Sequence, residues 1–114
     1  FFEGGIGNLT SLTELTVHNN RISKIPTDLG LVTCLRVLTV EKNPELASPP
    51  PEVIVRGHSI IMDYLRKLCL SVQTGSLDLS RMGLLQIPND VLVLTHIHAL
   101  NLNENRIEQI NEDI

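Results

Sequence analysis

Gly4, Gly5, Ile6 and Gly7 crowd three glycines near the start of the chain, where successive backbone N–H groups of a tight loop could cradle a phosphate. A phosphate loop continues into Gly-Lys-Ser or Gly-Lys-Thr, but here Asn8-Leu9-Thr10 follows, so a plain turn is expected. His96 and His98 form an H-x-H pair, and His18 is a further imidazole that could face His98. Zinc would ask for acidic or Cys ligands at usable spacing, and none accompanies the pair. Cys34 and Cys69 stand alone, as expected of buried or idle thiols rather than of a nucleophile. Asn8-Leu9-Thr10 is also a glycosylation sequon. The acidic residues Glu104, Glu108, Glu112 and Asp113 read as a solvated face. With no Ser/His/Asp set and no carboxylate pair, no enzyme activity, no cofactor and no metal site is expected.

The elements that would position any site repeat with a fixed period. LTELTVHNNRISKIPTDLGLVTC, from Leu12 to Cys34, returns as LRVLTVEKN from Leu35, which is 23 residues after Leu12. It returns again as IHALNLNENRIEQINEDI from Ile97, 23 residues after Thr74. A period in the twenties with L-x-x-L-x-L-x-x-N spacing is the leucine-rich-repeat signature. Aromatics make up only 3% of the chain and apolar residues 42%, so the core must come from Leu, Ile and Val, which suits stacked layers.

In each repeat, alternate apolar residues predict a short strand: Glu14–His18, Val37–Glu41, Ser76–Ser80 and Ala99–Asn103. Leu15, Leu38, Leu77 and Leu100 should point into the core as one column, and the residues between them should point outward. The outward set is Thr16, His18, Thr39, Glu41, Asp78, Ser80, Asn101 and Asn103. If the strands stack in parallel, these eight line one open concave face and are the candidate partner-binding residues. Asn20, Asn43 and Asn105 sit where the strand turns away, where a side-chain amide can satisfy stranded backbone groups. Met82 takes that place in the third strand, so an amide ladder should be interrupted there. Pro26 and Pro88 place a φ-locked, donor-free residue after each turn. Pro49 or Pro50 does so in the second repeat, which holds one extra residue.

The period then breaks, for 39 residues separate Leu35 from Thr74, 16 more than one repeat. Pro51 and Glu52 suit a helix start. Val53, Ile60 or Ile61, Tyr64, Leu65 and Leu68 recur on one helical face, with Asp63 and Lys67 as an i,i+4 pair. A helix is predicted from about Glu52 to Leu70, ~28 Å long, although Gly57 weakens it by ~1 kcal/mol relative to Ala. The domain plan is therefore repeats over 1–51, a helical insertion or array cap over 52–73, and repeats over 74–114. The fold class expected is an α/β leucine-rich-repeat solenoid with one inserted helix. The helix either lies on the convex side of an oversized repeat, with the third strand stacked on the second, or caps a first array before another begins. The short link from Leu70 to Leu77 favours the continuous solenoid.

The net charge of −4 offers no basic stripe for nucleic acid. Two cysteines without paired clusters point to a reducing compartment, hence the cytoplasm. No apolar run approaches the ~20 residues of a membrane span, and no signal peptide is read. Both ends fall in mid-repeat, as expected of a piece of a longer protein.

The period together with I-P-x-D-L-G at Ile25–Gly30 resembles cytosolic leucine-rich-repeat proteins, the group of Ras-binding scaffolds and their plant relatives. NPELASPPPEVIVRGHSIIMDYLRKL looks like the segment that closes an array in many of them, and TGSLDLSRMGLLQIP like an opening repeat. Thr74 and Met82 depart from the pattern. The resemblance implies a protein–protein interaction scaffold, with a small GTPase or another signalling component as partner. The alternative is a regulatory array within a larger GTPase or kinase. An extracellular receptor would need cysteine caps beyond these residues.

Overall fold

Strand pairing follows the 23-residue spacing, but only within each half of the chain. The computed structural model describes residues 5–108. In it β1 (Glu14–Thr16) pairs in parallel with β2 (Val37–Thr39), setting Leu15 against Leu38. Likewise β3 (Ser76–Asp78) pairs with β4 (Ala99–Asn101), setting Leu77 against Leu100. Each strand is shorter than its expected five residues, yet pairing runs on past its end. Val17 N–H reaches Thr39 O at 2.8 Å, and Leu79 N–H reaches Asn101 O at 2.9 Å.

The continuous solenoid does not form. The described residues make two separate two-stranded parallel sheets with three α-helices, α1 (Pro51–Ile54), α2 (His58–Thr74) and α3 (Asn89–Leu92). β2 and β3 share no ladder among them. The chain instead closes into a small α/β unit with a radius of gyration of 13.9 Å, near the roughly 13 Å of a compact domain of this length.

The inserted helix explains the break. α2 has 17 residues, so it runs about 25 Å, and its end rather than the repeat decides where β3 begins. Gly75 caps α2 at φ 71°, a left-handed conformation that glycine adopts without strain, and Ser76 enters β3 directly. Met82 also lacks the amide through which a following rung could accept N–H groups from the turn after β2.

The single helix expected over 52–70 is itself divided. α1 stops at Ile54, and Gly57 at φ 98° breaks the path before α2 starts. α2 then runs four residues beyond Leu70, with Ile61, Tyr64, Leu65 and Leu68 buried on one face. Its backbone lies on the 3₁₀ turn Thr27–Leu31, and Gly30 makes this possible. A Cβ on Gly30 would stand 2.7 Å from the Leu65 carbonyl carbon and closer still to the Arg66 backbone. Leu29 and Val32 from the first segment, Tyr64 and Leu65 from α2, and Leu77, Leu79 and Leu84 beyond it join one core.

Burial along the expected Leu column is uneven. Leu77 is 2% exposed and Leu100 is 40% exposed, while Leu15 and Leu38 are half-buried. Leu77 meets both β4 and α2, whereas β4 is an edge strand. The extra residue expected in the second repeat is present. Lys24 bridges to Ser48, an offset of 24, and Pro50 precedes α1 as Pro26 and Pro88 precede their own helical turns.

Candidate protein-binding faces

The eight outward residues fall into two groups of four rather than one face. Thr16 registers with Thr39, and His18 and Glu41 continue that pair of strands. Asp78 registers with Asn101, and Ser80 and Asn103 continue the second pair. Thr39 and Ser80 are half-buried and the other six are exposed. Because β2 and β3 are unpaired, no ladder joins Thr39 to Asp78 into a single concave surface.

Two side chains in the second group are held in fixed poses. Asp78 Oδ1 accepts the Ser80 N–H at 3.0 Å, and Asn101 Oδ1 accepts the Asn103 N–H at 2.9 Å. The Ser80 backbone N–H, and then its hydroxyl, hold the Asp78 carboxyl below the usual carboxylate range, since a hydrogen bond to the charged form favours it. Asp78 Oδ2 thus faces solvent as an acceptor beside the Asn101 side-chain amide, which can still donate.

The residues with chemical potential are occupied structurally. Gly4 lies outside the described residues. Gly5 and Gly7 both donate N–H to Asp28 Oδ2, at 2.8 and 3.2 Å, so the glycine-rich turn already holds an anion supplied by the chain itself. His96 Nε2 donates to Ser71 O at 3.1 Å, and the His98 ring covers Gly75 near the end of α2. His18 follows β1 in the other sheet. Among the described residues no group of three or more His, Cys, Asp or Glu could hold a metal ion. Cys34 is exposed, Cys69 is partly buried, and both are free. The sequon residues Asn8, Leu9 and Thr10 are exposed. In the acidic stretch Glu104 pairs with Arg81, while Glu112 and Asp113 lie outside the described residues.

The turn amides behave as their position implies. Asn43 Oδ1 accepts Asn20 N–H at 3.1 Å and Ile22 N–H at 3.4 Å. Asn105 Oδ1 accepts Met82 N–H and Leu84 N–H, both at 3.0 Å. Across the break between Asn43 and Met82 no such bond is made among the described residues.

An acidic residue in the first turn of each short helix went unread in the sequence. Asp28, Glu52 and Asp90 each lie two residues after the proline that precedes their turn. Asp28 reaches back to Gly5 and Gly7. Glu52 accepts the Leu85 N–H at 3.1 Å. Asp90 Oδ2 accepts Tyr64 O–H at 2.8 Å and Ser48 O–H at 2.6 Å. Burial first, and then the Asp90 carboxylate, push the Tyr64 phenol far above its usual range. The signal available was the repeated I-P-x-D at Ile25–Asp28 and Ile87–Asp90, whose Asp is the recurring acid beside a helix start.

No protein-family profile matches the chain, and no solved structure matches it. No helix among the described residues is long and apolar enough to cross a membrane.

Proposed function

We propose that this chain is a non-enzymatic interaction module that binds another protein through the outward residues of its two strand pairs. The observation that carries the reading is the registered, solvent-facing set Thr16, His18, Thr39 and Glu41 beside Asp78, Ser80, Asn101 and Asn103. Strands fixed from behind by a shared core present such side chains with little ordering left to do on binding. The kinship with cytosolic leucine-rich-repeat proteins rests on the sequence spacing alone, and with it a cytoplasmic setting and a signalling partner. Two separate faces also suit a partner that bridges them better than one that fills a single groove.

A photo-crosslinking residue placed at Thr39 or Asn101 tests the reading in cell extract. Each should trap the same protein, and the same probe at Val55, which is 81% exposed beside α1, should not. Trapping from Val55 alone would reject the strand faces as the binding surface.

A further inference from the structure

The edge of β1 is an incomplete copy of a junction that the molecule completes twice. In the β1–β2 pair, Asn43 Oδ1 accepts two N–H groups from Asn20 and Ile22, and Asn43 Nδ2 donates to Val17 O at 2.9 Å. In the β3–β4 pair, Asn105 Oδ1 does the same for Met82 and Leu84, and Asn105 Nδ2 donates to Leu79 O at 2.9 Å. Asn20 holds the equivalent place after β1. Its Nδ2 donates within its own rung, to Val17 O and His18 O, both at 3.1 Å. Its Oδ1 accepts nothing among the described residues. An open cleft lies against it, lined by Val17, Asn20 and Ile22 with Lys42 at its side.

The opposite end of the chain carries the missing half. Asn20-Arg21-Ile22, the tripeptide that donates to Asn43, recurs as Asn105-Arg106-Ile107. The N–H groups of Asn105 and Ile107 donate to nothing among the described residues. β4 pairs only with β3 there, and Leu100 is 40% exposed on it. An unpaired strand edge of this kind is a template for another chain.

We propose that the β1 edge of one copy binds the β4 edge of a second copy, head to tail. Asn20 Oδ1 accepts the N–H groups of Asn105 and Ile107 of that copy, and Asn20 Nδ2 donates to its Leu102 carbonyl. Leu100 is covered in the same contact. Arg106 falls beside Arg21 in the junction, but both side chains are exposed, so ordinary salt screens the repulsion. The two edges differ, so the contact is heterologous and does not close after two copies.

Two variants block opposite ends. Asn20→Met copies Met82, which sits buried in the same place of its rung and has no neighbouring strand on that side, so this variant should fold. Leu100→Glu charges the exposed edge of β4. In sedimentation velocity over a concentration series, the unaltered chain should gain mass past the dimer, while each variant stays monomeric. An equimolar mixture of the two should form a 1:1 dimer and nothing larger, because each variant keeps the edge the other lacks. A monomeric unaltered chain, association that persists in either variant, or a mixture that stays monomeric would each overturn the proposal.

Discussion

Tyr64 in α2 donates its phenol O–H to Asp90 Oδ2 in α3 at 2.8 Å, and the tyrosine is fully buried. The same oxygen accepts the Ser48 hydroxyl, so one carboxylate ties the inserted helix to segments on either side of it. This contact, with the close approach at Gly30, holds two strand pairs on one core although their strands never meet in a ladder.

Tyr64→Phe removes a hydrogen bond to an ionised acceptor and leaves the packing nearly unchanged. Such a bond contributes about 1.5–3 kcal/mol. A urea titration should show a loss in that range, with little change in the slope of the transition. A loss under about 0.5 kcal/mol, the scale of an ordinary surface change, would show that the bond does not tie the helices together.

Alkaline titration gives an independent reading, because Tyr64 is the only tyrosine and the chain has no tryptophan. The folded phenol is raised well above its ordinary value of 10.0. The folded state therefore keeps a proton that the unfolded chain releases above about pH 10. Stability from this group is full below that pH and declines above it, by about 1.4 kcal/mol per pH unit. Phenolate absorbance should appear only as the chain unfolds. Ionisation near pH 10 in a folded chain would contradict the burial.

Gly30→Ala drives a methyl group into the backbone at Leu65 and Arg66. Neither element can yield without separating α2 from the Thr27–Leu31 turn, so the cost should exceed the ~1–3 kcal/mol typical of overpacking a core. At Gly57 nothing lies within 4 Å of an added Cβ, and the penalty there comes from φ 98° alone. Thermal melts of the two alanine variants should rank Gly30 as the worse. The reverse order would mean that the helix does not lie where described.

Within each half, the strand phase and the 23-residue register were legible because alternation and period are properties of consecutive residues. Leu15 against Leu38 and Leu77 against Leu100 follow from spacing alone. What the spacing could not show is whether Leu38 neighbours Leu77, since that depends on where a 17-residue helix delivers the chain. Gly57 was visible as a weak point but not as a break, because its φ is chosen by the packing on either side. The outward set was readable residue by residue, yet its division into two faces follows from the unpaired edges of β2 and β3. The roles of Asp28 and Asp90 escaped because their partners Gly5, Gly7, Ser48 and Tyr64 come from other segments.

Leucine truncations should follow burial rather than the repeat. Leu77→Ala, at a residue 2% exposed, should cost roughly 2–5 kcal/mol. Leu100→Ala, at 40% exposure, should cost well under half as much, since much of its apolar area is already in water. Equal losses in a denaturant titration would mean that β4 is covered as fully as β3.

Binding through the strand faces is tested most directly by charge reversal at Glu41 and Asp78, both exposed and one in each strand pair. The affinity for the protein trapped at Thr39 or Asn101 would be measured by titration calorimetry. Glu41→Lys with Asp78→Lys should weaken binding at least tenfold, about 1.4 kcal/mol, while the chain melts at an unchanged temperature. Val55→Lys with Val93→Lys, beside α1 and α3, should bind as the unaltered chain does. Full affinity in the first pair together with loss in the second would place the partner on the helical side and contradict the account.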